Sequence, residues 1–147
     1  MLGSLLKETK ILTVENSVTA GQATTVGEVV DTAGFGAALF LYKLGTVVNG
    51  AAVTLKIYSD TASAFSSATE LSGASAAIAT TSSDSEQVLS IDLIRPRERY
   101  LRPTIVTATQ DVEIDWAVCI LYNPTVIPTD QPATIEVETL VVSPAGV

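Results

Sequence analysis

The stretch Asp31-Thr32-Ala33-Gly34-Phe35-Gly36-Ala37-Ala38-Leu39-Phe40-Leu41-Tyr42 decides the fold. Its first four residues are turn formers, and from Ala37 to Tyr42 no polar residue interrupts the apolar run. A strand that is apolar on both faces can be covered on both faces. Residues 35–44 therefore read as a central strand of a two-layer β structure.

The flanking sequence extends this pattern. Residues 24–30 are β-branched and read as a strand, and residues 11–20 alternate weakly before a turn at Ala20-Gly21. Downstream, Asn49-Gly50 is a hairpin signal, because both residues tolerate positive φ. After it, Val53, Leu55 and Ile57 alternate with Thr54, Lys56 and Tyr58. This strand is expected to pair antiparallel with residues 35–44. Nineteen of the 25 residues 61–85 are Ala, Ser or Thr. Serine and threonine compete with the helical backbone, so a long loop carrying short strands near 69–71 and 76–81 is expected rather than a helix.

In residues 87–94, Leu89, Ile91 and Leu93 are expected to face inward and Ser90 and Asp92 outward. Residues 100–107 contain Pro103, which cannot donate to a ladder; an edge strand or a bulge is expected there. In residues 113–122, Ile114, Trp116, Val118 and Ile120 share one face at period two, with the tryptophan as its inward anchor. About eight to ten short strands with turn signals every ~8–12 residues describe a sandwich, jelly roll or barrel.

The two ends read differently. Residues 1–10 form an N-terminal arm with a short helical turn, and residues 11–122 form the core domain. Residues 123–147 form an extended arm broken by Pro124, Pro128, Pro132 and Pro144. Within that arm, residues 135–142 alternate again. Such a segment suits a strand added to a neighbouring subunit, a strand folded back on its own domain, or a frayed tail.

Composition bounds the function. The 147 residues fit one domain with one core. Charged residues make up 16%, against about 25% in ordinary soluble domains. Either a partner covers part of the surface or an Ala/Ser/Thr-rich surface stays soluble without charge. With 16 acids against 8 bases the net charge is −8. That opposes a nucleic-acid footprint and docking on an anionic membrane. No apolar run approaches the ~18 residues of a membrane span, and the N-terminus lacks a basic n-region, so no signal peptide is expected. The single cysteine, Cys119, reads as a small buried hydrophobe, and nothing implies an oxidising compartment.

The sequence contains no histidine. This removes Ser-His-Asp and Cys-His catalysis and leaves any zinc site dependent on carboxylates. No cofactor-binding motif is present. Asp111, Glu113 and Asp115 share a strand face at steps of ~7 Å. A solvated acidic face is the plain reading, with a glycosidase pair or a calcium site as alternatives. Arg95, Arg97, Arg99 and Arg102 supply half of the bases within eight residues. They are the candidate partner-binding residues, because guanidinium groups pair bidentately with carboxylates across an interface. The plainer reading pairs them with the Asp111–Asp115 stripe of an antiparallel neighbour, and phosphate binding is the remaining alternative.

Three segments resemble a recurring type of tailed-phage virion protein. They are Asp31-Thr32-Ala33-Gly34-Phe35 before an apolar strand, Leu55-Lys56-Ile57-Tyr58-Ser59-Asp60 before a Ser/Thr loop containing Phe65, and Arg99-Tyr100-Leu101-Arg102 before Thr104-Ile105-Val106. Their order resembles the small capsid cement or decoration proteins encoded among phage head genes, over residues 11–122. The resemblance implies an antiparallel jelly-roll-like β-sandwich of about eight strands with extended terminal arms. It implies a non-enzymatic subunit, without cofactor or metal, that forms dimers or trimers. Such a subunit is assembled in the host cytoplasm, sits on the capsid exterior and clamps neighbouring major capsid protein subunits. The extension at residues 123–147 departs from the pattern. The alternatives are a phage neck or tail accessory protein and a carbohydrate-binding β-sandwich. The last needs exposed aromatics, and the only tryptophan is expected to face inward.

Overall fold

The computed structural model describes residues 4–79 and 85–139. A short helical turn, α1 (Leu5–Glu8), precedes ten strands: β1 (Lys10–Glu15), β2 (Val18–Gly21), β3 (Thr24–Val26), β4 (Val30–Asp31), β5 (Phe35–Val47), β6 (Ala52–Asp60), β7 (Thr69–Ala79), β8 (Val88–Ile94), β9 (Tyr100–Ala108) and β10 (Val112–Pro124). One sheet runs β1-β10-β5-β8 with β2 also on β10; the other runs β3-β9-β6-β7 with β4 also on β9. Every described pairing is antiparallel. β1 and β2 are two halves of one interrupted strand, as are β3 and β4. Counted so, each sheet has four strands, and successive strands cross between sheets in a jelly-roll order except for the β6–β7 hairpin.

The core lies between the sheets. Phe40, Tyr42 and Leu44 of β5, Leu55 and Ile57 of β6, Leu101 and Ile105 of β9, and Cys119 and Leu121 of β10 are all fully buried. β5 is central, flanked by β10 and β8. The inward residues of β6 and β8 are those that alternation assigns: Val53, Leu55 and Ile57, then Leu89, Ile91 and Leu93.

Four expectations need correction. β6 does not pair with β5; it joins the other sheet, between β9 and β7. Both edges of β5 are already occupied, so the Asn49-Gly50 turn (Gly50 φ +89) carries the chain across the core instead of back along the same sheet. Residues 69–79 form one strand, not two. Gly73 at φ +83 turns within it, opposite a register shift between Lys56 and Tyr58. The expected piece at 76–81 ends outside the described residues. Among residues 135–139 there is no strand, and 140–142 lie outside the described residues.

The fourth correction concerns Pro103. Its strand, β9, is central rather than an edge, and its register with β6 is unbroken. The break lies in the other neighbour. Residues 27–29 separate β3 from β4 opposite Pro103, and Gly27 N donates to Pro103 O at 2.9 Å. In an antiparallel strand a residue's N and C=O point to the same side, so the missing donor of Pro103 falls in that gap.

Gly27 makes this crossing possible. A Cβ there would stand 2.9 Å from Pro103 Cγ, the Tyr42 hydroxyl oxygen and Val14 O. Overpacking of this kind costs about 1–3 kcal/mol. Gly27→Ala is expected to lower the urea midpoint accordingly. Adding Tyr42→Phe should recover part of the loss, because the Tyr42 hydroxyl is buried with no hydrogen-bond partner among the described residues.

Candidate interaction surfaces

β10 contains a feature that period two does not reveal. Ile114 pairs with Leu44 and Trp116 with Lys43, so β10 advances two residues while β5 advances one. This bulge flips the phase of the strand. Val112 and Ile114 face the core before it; Ala117, Cys119 and Leu121 face the core after it. Trp116 is consequently not an inward anchor. It is 41% exposed on the outer face of the sheet, with Val118 and Ile120 beyond it.

That outer face is apolar along its two central strands, β10 and β5, while β8 adds Ser90 and Asp92 between Val88 and Ile94. Cross-strand partners share a face, so one row runs Ile11, Ile120, Leu39 and the next runs Thr13, Val118, Leu41. A third joins Trp116, Lys43 and Val88, the last 49% exposed. Ile94, at 62% exposure, stands at the margin beside Ala37. Polar contacts border the patch. Lys43 is bonded to Glu86 and lies 3.2 Å from Asp115, and Glu86 followed by Asp115 holds its ammonium above the usual lysine range. At the other end the Tyr122 hydroxyl donates to Asp92 at 2.7 Å.

The four arginines do not form one stripe. β9 lies in the other sheet from β10, so no arginine pairs with the Asp111–Asp115 acids. Arg99 instead grips Asp31 bidentately, Nε to Oδ1 at 2.8 Å and Nη2 to Oδ2 at 2.7 Å. Arg102 stacks over the Phe65 ring at 4.3 Å. Arg95 and Arg97 are exposed and make no ion pair among the described residues. They stand beside a groove between β7 and β8.

The acids are dispersed as well. Asp115 faces Lys43, Glu113 accepts from the Thr46 amide at 3.3 Å, and Asp111 lies 3.4 Å from the Gln22 amide. No group of three metal-ligating side chains occurs among the described residues.

Two carboxylates brace the loops beside the arginines. Asp60 accepts from Ala62 N (3.0 Å) and Ser67 N (2.7 Å), pinning the β6–β7 loop that buries Phe65. These amides hold its carboxyl below the ordinary 3.8, and Arg99 does the same for Asp31. A depressed folded pKa means that the unfolded chain binds the proton more tightly. The stability these groups add is complete above the unfolded value and is lost as pH falls through the folded ones. The thermal midpoint is expected to stay level from about pH 8 to 5 and to drop below about pH 4. Asp31→Asn should remove part of that drop in a calorimetric pH series.

The two chain ends meet each other. Thr129 N donates to Lys7 O at 2.8 Å, and the Thr129 hydroxyl donates to Thr9 O. The Gln131 amide donates to Leu6 O (2.9 Å) and Thr9 O (2.7 Å) and accepts from Ile11 N (2.8 Å). Lys7 reaches Glu138 at 2.9 Å.

No protein-family model and no curated protein matches the sequence. Among solved structures, the chain is similar to one in the structure of infectious bursal disease virus Gt strain, with TM-score 0.48 and 11% identity over 79% of this chain. It spans about a third of that chain, 33%. It is also similar to a carbohydrate binding module (CBM6cm-2) from Cellvibrio mixtus lichenase 5A in complex with cellotriose. There the TM-score is 0.33 and the identity 11%, over 74% of this chain and 94% of that one.

Proposed function

We propose that this chain is a non-enzymatic virion structural protein, a capsid cement or decoration subunit. It binds on the shell exterior across neighbouring major capsid protein subunits and acts as a homo-oligomer. The observation that carries this reading is the apolar stripe along β10 and β5 on the outer face of the β1-β10-β5-β8 sheet, with Trp116 exposed on it and Val88 and Ile94 exposed beside it on β8. An uncovered apolar face of this breadth marks a contact surface. The low charge density of the sequence and its resemblance to phage head proteins point to a protein shell as the partner. A subunit seated across a boundary stabilises the assembled shell by its differential affinity for it.

The exposure of Trp116 also removes one objection to sugar binding. Its neighbours on the face are Lys43, Val88 and the aliphatic row beyond, however, without a second ring beside it. A flat aliphatic surface favours protein over sugar.

Quantitative mass spectrometry of gradient-purified virions from the source tests the proposal. One copy per major capsid subunit, or a simple lattice fraction of it, is expected. A handful of copies per particle would assign the chain to the neck or tail, and absence from the particle would overturn the virion reading.

A further inference from the structure

β7 pairs only with β6 and β8 only with β5, so both are sheet edges, and they lie on the same side of the sandwich. Between them runs a groove of about 410 Å³ lined by Leu71, Ala74, Ile91, Leu93, Arg95 and Arg97, among others. Its floor is core: Leu71, Ile91 and Leu93 pack on buried residues but remain half-exposed. Its margin is basic. Arg95 and Arg97 carry no counter-charge among the described residues, whereas Lys7, Lys43, Lys56 and Arg99 all do. Asp92, an acid in the lining, is already engaged by Tyr122.

We propose that this seam receives residues 135–142 of a second copy of the chain. The segment Ile-Glu-Val-Glu-Thr-Leu-Val-Val alternates apolar and acidic residues at its start, the pattern of a half-buried strand. Over its described part it pairs with no strand of its own chain, and Val137 is 76% exposed. Added along an edge of the seam, it would gain the ladder bonds that the edge leaves open. Ile135 and Val137 would cover the apolar floor, and Glu136 and Glu138 would supply the charge that Arg95 and Arg97 lack.

The same segment of its own chain is poorly placed for this. Gln131 is tied beside β1, the opposite edge of the sheet from β8. Those edges stand three strand spacings apart, about 14 Å. The four residues from 131 to 135 span at most ~14 Å fully stretched, which leaves no length to turn and lie along the edge. Exchange between copies avoids the crossing, and repeated head to tail it builds a ring where the rotation between copies closes. This inference supplies a contact for the homo-oligomer of the proposed function and does not depend on the capsid as partner.

The test uses the full-length purified chain without particles. Ser72→Cys in one preparation and Val137→Cys in another are mixed and oxidised; the native Cys119 is fully buried. An interchain disulfide is expected from the mixture and not from either preparation alone. In sedimentation, Arg95→Glu with Arg97→Glu should weaken self-association at least tenfold. Glu136→Arg with Glu138→Arg should do the same, and combining all four should restore it. Lys7→Ala, which removes the other partner of Glu138, should change nothing. A monomeric wild-type chain, or no cross-link from the mixture, overturns the proposal. So does a disulfide within single chains carrying both cysteines. Should the charge reversals unfold the domain, the cross-link on intact arginines decides alone.

Discussion

Phe40→Ala is expected to cost the fold about 3–5 kcal/mol, a large share of the 5–15 kcal/mol that holds a typical domain together. Phe40 is fully buried at the middle of β5. Its inward neighbours are small on two sides, Cys119 across the β10 ladder and Ala38 along the strand. The ring therefore fills volume that those residues leave open, and they cannot close the cavity if it is removed. The nearest large ring, Tyr42, is itself fully buried two residues along the same face and already fills its own site. Leu41→Ala, one residue along, provides the contrast. Leu41 is half-buried on the outer face and should cost about 1 kcal/mol, since burial of a whole leucine is worth about 1.5–3. Urea titration of both variants checks the difference. Equal losses would mean that the outer face is as fully packed as the inner one.

That contrast also shows what the sequence reveals. The unbroken apolar run of β5 correctly announces a central strand, and strict alternation in β6 and β8 correctly assigns their inward faces. These signals are local, and burial alone enforces them. Partner choice is not local. Asn49-Gly50 has the residues of a hairpin, yet both edges of β5 are taken by strands far away in sequence, so the turn crosses between sheets. Pro103 reads as an edge because a missing donor is visible in sequence, while the gap at residues 27–29 that accommodates it is not. The bulge beside Trp116 hides the outer face most effectively, since one extra residue reverses every later assignment in β10. A signal was nonetheless present. Residues 117–121, Ala-Val-Cys-Ile-Leu, form the same unbroken run as residues 37–41, and two adjacent strands apolar on both faces imply an outer face that needs a cover. The arginines were legible as a group but not as roles. Arg99 and Arg102 are spent within the chain, on Asp31 and Phe65, and only Arg95 and Arg97 remain outward-facing without a counter-charge.

Trp116→Glu combined with Val88→Glu should abolish binding to the proposed shell while leaving the domain folded. The two side chains flank Lys43 in one row, on β10 and β8, and are 41% and 49% exposed. Neither contributes to the inter-sheet core, so the fold should lose only about 2 kcal/mol, roughly 1 for each half-covered side chain. At a buried interface the same changes act differently. A tryptophan anchor is commonly worth 2 kcal/mol or more, a loss of roughly 30-fold in affinity. A glutamate buried opposite an apolar partner adds an unpaired charge to that loss. The combined variant should therefore bind at least about 100-fold more weakly to particles stripped of this subunit, while a cooperative urea transition shows the domain still folded. Thr19→Glu with Ala20→Glu, on two exposed residues of β2, serves as a charge-matched control and should bind nearly normally, because added negative charge alone is not the cause. If the double variant binds like the wild type, the apolar face is not the contact surface. The proposed function then loses the observation that carries it, whereas the exchange of residues 135–142 between copies would stand, since it rests on the inward-facing side chains of the β7–β8 seam and not on the outer face.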